Sequence, residues 1–315
     1  MKLIGVFPGQ GAQSVGMLGA LAAQHPSVHE TFETASGILG YDLWRLVQDG
    51  PEGDLNTTVR TQPALLTAGV AVWRVWRDNS GAVPAVLAGH SLGEYTALVC
   101  AGALEFADAI DLVVFRATSM QNAVPQGAGA MAALIGLDDD AVRSSCTEAA
   151  SAGVVEAVNY NAPGQVVIAG EKAAVELAGE RARAAGAKRV IPLSVSVPSH
   201  CALMRPAAET MATRLEEVDI ATPEIPVLHN VDVTTHTEPD EIRRALTEQL
   251  YRPVRWVETI RRAKADGVEA VLELGPGKVL AGLNRRIERR MPVHSVQDPQ
   301  SLDRALTDWK EGVAA

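Results

Sequence analysis

The chain has 315 residues, 47% hydrophobic and 21% charged, enough for two domain-sized units or one large domain carrying an insertion. A formal charge of −10 excludes a nucleic-acid backbone as the natural partner, and no stretch approaches the ~18 consecutive apolar residues of a membrane-spanning helix. Three widely spaced cysteines (Cys100, Cys146, Cys201) without a Cys-x-x-Cys pair argue for a reducing compartment and against a disulfide framework or a zinc site. With an apolar start too short for a signal peptide, a cytosolic monomer that holds no metal is expected.

Lys2–Phe7 reads as a buried strand and runs into Pro8-Gly9-Gln10-Gly11. A glycine loop after a strand invites a phosphate-binding reading. Position 14, however, is Ser where Gly-x-Gly-x-x-Gly needs glycine, and no Gly-Lys-Ser/Thr follows, so both nucleotide fingerprints fail. A plain turn remains, or a backbone flexible enough to bring an N–H to a reacting oxygen. Asn56–Trp76 reads as a helical region with Pro63 near its start, Val83–Gly89 as the next strand and Leu92–Ala101 as the next helix. Over residues 105–124 the apolar positions Ile110, Val113, Val114, Ala117 and Met120 mark one helix face. Strands alternating with helices indicate a parallel α/β core.

The middle of the chain has a different rhythm. Ala130–Leu137 reads as a strand and Asp138–Ala150 as a helix whose first turn is rich in aspartate, as the helix dipole prefers. Val154–Tyr160 and Gln165–Ala169 read as strands joined by the turn Asn161-Ala162-Pro163-Gly164. A helix over Glu171–Ala185, closed by Gly186, and a strand over Lys188–Leu193 complete the order βαββαβ, a split-βαβ or ferredoxin-like unit. Residues 126–196 therefore read as a small domain inserted into a larger, α/β-hydrolase-like one (1–125 and 197–315), with a ligand expected in the cleft between them. The remainder offers a strand at Val227–Val231, helices near 239–250 and 254–266, and the strand Ala270–Leu274 before Gly275-Pro276-Gly277.

Chemistry concentrates at Gly89-His90-Ser91-Leu92-Gly93-Glu94-Tyr95. A Gly-x-Ser-x-Gly pentapeptide between a strand and a helix can hold its serine on a strained turn with the hydroxyl raised toward solvent. The alternative is a capping box in which Ser91 caps the helix and Glu94 reaches back to it. That reading leaves Gly89 unexplained, and Gly93 in the first helical turn costs about 1 kcal/mol against alanine. Spacing does not choose a base among the seven histidines: His200 is one candidate, His90 is adjacent to the serine but faces away, His229 reads as a satisfied core residue, and His25, His29, His236 and His294 read as surface residues. Arg116, on a mostly apolar helix, reads as an arginine whose stem covers apolar surface while its head snorkels to solvent.

Pro-Gly-Gln10-Gly, Gly-His-Ser-Leu-Gly-Glu-Tyr (89–95), Asn-Tyr-Asn-Ala-Pro-Gly-Gln-Val-Val-Ile-Ala-Gly (159–170), Val-Pro-Ser-His200-Cys-Ala-Leu-Met, Gln249-Leu-Tyr-Arg-Pro-Val-Arg-Trp and Glu-Leu-Gly-Pro-Gly-Lys (273–278) together resemble the malonyl-CoA:acyl carrier protein transacylases of bacterial fatty acid synthesis. The likeness covers nearly the whole chain in order. It implies that Ser91 takes malonyl from coenzyme A as an ester and passes it to the phosphopantetheine thiol of acyl carrier protein, in ping-pong fashion and with no cofactor beyond the substrates. It further implies His200 as acid and base, oriented by the main-chain carbonyl of Gln249, and an oxyanion hole from the N–H groups of Gln10 and Leu92. Arg116 would hold the malonyl carboxylate, and Asn159, Gln165 and Arg189 would face coenzyme A. One of the basic clusters Lys188/Arg189, Arg261/Arg262/Lys264 or Arg285/Arg286/Arg289/Arg290 would steer an acidic carrier. A stand-alone polyketide acyltransferase or a serine thioesterase are the competing readings. Ser199 points toward methylmalonyl in the polyketide relatives, but the stand-alone enzymes of fatty acid synthesis carry serine there too.

Overall fold

A computed structural model describes residues 2–80, 83–193 and 197–313. Among them are nine strands: β1 (Leu3–Phe7), β2 (Val86–Gly89), β3 (Gly129–Ile135), β4 (Val155–Ala162), β5 (Gln165–Glu171), β6 (Arg189–Pro192), β7 (Val227–Leu228), β8 (Ala270–Leu274) and β9 (Val293–Val296). The order β7-β2-β1-β8-β9 forms one sheet, every neighbour parallel. β1 and β8 are buried at every position, which matches their unbroken apolar runs: a parallel strand covered by helices on both faces has no solvent side on which to place polar residues.

The chain leaves β1 to pair β2 on one side and later returns to place β8 on the other. Such a reversal opens a crevice at the carboxyl ends of the strands. Phe7-Pro8-Gly9-Gln10, Gly89-His90-Ser91 and Leu228-His229-Asn230 all emerge there. Helices Thr58–Ser80 and Phe106–Asn122 cover one face, packed with Leu65, Val72, Trp76, Ile110 and Val113 in the largest apolar core.

The second sheet, β4-β5-β3-β6, is antiparallel throughout. Helices Asp139–Ala149 and Lys172–Ala184 lie against it, so residues 129–192 take the strand and helix order expected from the sequence. Asp138 caps the first of these helices, its carboxylate accepting from the N–H of Ala141 at 2.8 Å. Edge strand β4 is tied to the other unit by Tyr160 N–H to Val254 O (3.0 Å) and Val254 N–H to Val158 O (2.8 Å).

Several boundaries differ from expectation. β4 continues through Asn161 and Ala162, leaving only Pro163-Gly164 as the turn. β2 starts at Val86, after Val83–Ala85; Gly81 and Ala82 lie outside the described residues. β7 is two residues long because His229 and Asn230 leave the ladder to bond Glu94. Helices Pro26–Leu39, Arg205–Glu216, Val279–Ile287 and Pro299–Val313, and the short strand β9, had no reading from the sequence. No described helix is long and apolar enough to cross a membrane.

Candidate active site

The turn after β2 places Ser91 at φ 52°, in the left-handed region that non-glycine residues rarely occupy. Its flanking glycines are required by close approach. A Cβ on Gly89 would lie 1.8 Å from the carbonyl carbon of Gly93, and one on Gly93 would lie 2.1 Å from the carbonyl oxygen of Phe7. β1, β2 and helix Gly93–Cys100 thus meet almost backbone to backbone. The capping box is not formed: Leu92 is the N-cap and no side chain caps the helix. Ser91 Oγ instead lies 2.7 Å from Nε2 of His200. Glu94, fully buried, turns inward and accepts from His229 Nδ1 (2.8 Å), the Asn230 N–H (3.0 Å) and Gln249 Nε2 (2.9 Å).

His200 is also left-handed, at φ 68°, and only 2% exposed. Its N–H donates to Leu250 O at 2.9 Å and its Nδ1 lies 2.7 Å from Gln249 O. Gln249 ends the helix Pro239–Gln249, and the last carbonyls of a helix lack intrahelical donors. A carbonyl can only accept, so Nδ1 carries the proton and Nε2 presents a lone pair to the Ser91 hydroxyl. Burial first, then the charge of Arg116, lower the pKa of His200 to about 3, so the resting imidazole is neutral. The negative end of the helix dipole favours the imidazolium once it forms.

Arg116 does not snorkel. It is 2% exposed on the inner side of helix Phe106–Asn122. Nη1 donates to Gln62 Oε1 and Nη2 to Gln249 Oε1, both at 2.9 Å; Nη2 is also 3.4 Å from Ser91 Oγ, and Nε has no partner. Among the described residues no carboxylate lies within ion-pair distance of it. A buried guanidinium held by neutral amide oxygens keeps its charge available to an anionic ligand.

Ser91, His200, Arg116 and Gln62 line a cavity of about 440 Å³ together with Gln10, Leu92, Asn159 and Ser199. Among the described residues the N–H groups of Gln10 and Leu92 have no protein acceptor. Asn159 is buried and its Oδ1 is unpartnered. Gln165 and Arg189 do not reach the cavity wall: Gln165 Oε1 accepts from Arg286 Nη1, and Arg189 sits exposed at the start of β6. His90 lines the cavity, but its Nε2–H is committed to Asn161 Oδ1 at 2.7 Å, and burial lowers its pKa. His229 is in the core as expected. His236 is buried, contrary to the surface reading, with Asp232 2.8 Å and Glu241 3.3 Å from its ring nitrogens.

Sequence reasoning missed three contributors. Gln62 and the Gln249 side chain hold Arg116, and Gln249 Nε2 also donates to Ser91 O at 3.0 Å. Asn230 braces the serine turn, its Oδ1 accepting from Ser91 N–H and its Nδ2 donating to Gly89 O, each at 2.7 Å.

A model of the acyl transferase domain matches residues 5–302. The malonyl CoA-acyl carrier protein transacylase of Salmonella typhimurium is 56% identical, over 96% of this chain and 98% of that one. The chain belongs to this transacylase family. An acyl carrier protein S-malonyltransferase from Vibrio cholerae superposes with a TM-score of 0.94 at 57% identity, covering 97% of this chain and all of that one. A malonyl-transacylase solved in complex with its holo type II polyketide synthase (PKS) acyl-carrier protein gives 0.97 at 54% identity, covering 98% and 100%.

Proposed function

We propose that this member of the family moves malonyl from coenzyme A to the thiol of an acyl carrier protein through an ester on Ser91. The observation that carries the proposal is a charged, buried Arg116 3.4 Å from a serine oxygen that is itself 2.7 Å from a neutral imidazole nitrogen. A nucleophile, a base and an anion receptor meet at one point.

Ser91 Oγ attacks the thioester carbonyl while His200 Nε2 takes its proton. The N–H groups of Gln10 and Leu92 receive the oxyanion, each such donor contributing about 10²–10³ in rate. Collapse breaks the C–S bond, and the departing thiolate takes the proton from His200. The carrier thiol then enters, gives its proton to His200 and attacks the ester. Ser91 leaves and recovers the proton. The carbonyl of Gln249 keeps the imidazole in the required tautomer throughout.

The free carboxylate of malonyl pairs with Arg116. That pairing also neutralises the charge that depresses His200, so the acyl group that fits the receptor strengthens the base beside it. Asn159 offers its unpartnered oxygen to coenzyme A; Gln165 and Arg189 lie off the cavity and are given no such contact. We further read the chain as a large α/β-hydrolase-like domain (1–125 and 197–315) and a ferredoxin-like insertion (126–196), for which the βαββαβ order of the antiparallel unit speaks. The likeness to a transacylase bound to a type II PKS acyl-carrier protein favours one second reading, the same chemistry with a polyketide carrier.

Intact mass after incubation with malonyl-CoA tests the proposal. A malonyl adduct on Ser91, discharged by holo acyl carrier protein, supports it. Free malonate without a carrier indicates a thioesterase, and no adduct refutes transfer from this donor. Discharge by fatty acid and polyketide carriers in parallel separates the two pathways.

A further inference from the structure

Beneath the catalytic dyad lies a buried polar layer that the transfer itself does not use. Glu94 is at its centre, with three donors on two oxygens: His229 Nδ1 on Oε1, and the Asn230 N–H and Gln249 Nε2 on Oε2. Each of the last two leads to a different part of the site. The Asn230 side chain holds Ser91 N–H and Gly89 O, the two ends of the strained turn. The Gln249 amide shares its NH₂ between Glu94 and Ser91 O and spends its oxygen on Arg116.

An amide has two faces of opposite sense, and reversing Gln249 would aim its NH₂ at the guanidinium and its oxygen at Glu94. Donor would meet donor and acceptor would meet acceptor. A carboxylate, which only accepts, opposes that reversal, and the Ser91 carbonyl, on the same Gln249 NH₂ at 3.0 Å, opposes it with Glu94. We infer that Glu94 is a positioning residue that holds Ser91, through Asn230, and Arg116, through Gln249, in register with each other, so that an acyl group whose carboxylate sits on the arginine presents its thioester carbonyl to the serine. The inference rests on malonyl being the acyl group.

The test compares acyl-enzyme formation from malonyl-CoA and acetyl-CoA in the wild type, Glu94→Gln and Glu94→Met, with thermal unfolding of each recorded. Gln keeps an acceptor for Asn230 and Gln249 and turns its NH₂ to His229, whose Nε2 has no partner and can carry the ring proton instead. E94Q therefore loads malonyl within about threefold of wild type, the acceptor pattern being preserved. Met removes the acceptor: malonyl loading falls about 100-fold, the scale of a misplacement near 1 Å. The malonyl-to-acetyl rate ratio falls about tenfold, since only malonyl needs the arginine in place. Equal losses for both acyl groups, an unchanged ratio, or equal impairment of Gln and Met variants would each overturn the inference. If the Met variant does not fold, Glu94→Asp carries the test: its shorter carboxylate loosens Gln249, and the ratio drops about threefold, whereas an unchanged ratio overturns the idea. A wild type that forms no malonyl ester would instead sink the proposed function, so the two failures are distinct.

Discussion

Replacing Arg116 with alanine separates the anion receptor from the rest of the machinery. Arg116 is 2% exposed, and its Nη1 and Nη2 rest on two neutral amide oxygens, each at 2.9 Å. An incoming carboxylate therefore finds a desolvated cation that no carboxylate among the described residues ion-pairs, Glu94 acting on it only from beyond contact. Truncating one partner of such a pair costs about 2–5 kcal/mol, which at 1.4 kcal/mol per tenfold is roughly a 30- to 3,000-fold loss of kcat/KM for malonyl-CoA. Nη2 also lies 3.4 Å from Ser91 Oγ, and the deletion orphans Gln62 Oε1 and Gln249 Oε1, so acetyl transfer falls as well. The ratio isolates the effect: acetyl-CoA has no carboxylate to lose, and in the wild type it leaves the arginine unpaired. Rapid-quench intact-mass measurement of acyl-Ser91 formation from each donor gives both rates on one preparation. Arg116→Ala shifts the malonyl-to-acetyl ratio toward acetyl by at least tenfold, on the same scale. A ratio equal to that of the wild type would refute the assignment, whatever the absolute rates.

Removing the Gln62 acceptor with Gln62→Leu leaves Arg116 Nη1 unsatisfied and reduces malonyl kcat/KM about tenfold, acetyl less, in the same assay. His200 is held at about 3 in the free protein, so kcat/KM for malonyl-CoA shows no acid limb from it above pH ~4. Pairing of Arg116 with malonate lifts that pKa, and the acid limb of kcat therefore lies at higher pH than that of kcat/KM; coincident limbs would contradict the coupling. The same group sets a sign for stability. Below its unfolded value of 6.5 the unfolded chain takes up a proton that native His200 refuses until about pH 3, so this contribution falls as pH drops through that window, by about 1.4 kcal/mol per unit. Unfolding titrations of wild type and His200→Gln between pH 4 and 7 compare the slopes, and the variant shows the shallower one. Gly93→Ala, whose Cβ would sit 2.1 Å from Phe7 O, forces β1 and the helix apart and yields little folded protein, checked by expression and circular dichroism.

Sequence patterning by itself was enough for the parallel core, the antiparallel unit and the serine turn. Unbroken apolar runs such as Ala270–Leu274, and the two glycines around Ser91, are local consequences of burial and close approach, and locality is what a linear reading can see. Ser91 and His200 lie 109 positions apart and Ser91 and Asn230 139; Gln62, Arg116 and Gln249 are scattered similarly. No periodicity links such residues, and likeness to a family named His200, Arg116 and the Gln249 carbonyl where spacing could not. Only the tertiary structure decided that Glu94 faces inward instead of closing a capping box, that His236 is buried, that Arg116 is held by neutral amides, and that Gln165 and Arg189 stay off the cavity. Each of those outcomes depends on which distant donor or acceptor arrives at hydrogen-bond distance, and that is fixed by how the strands' carboxyl ends converge.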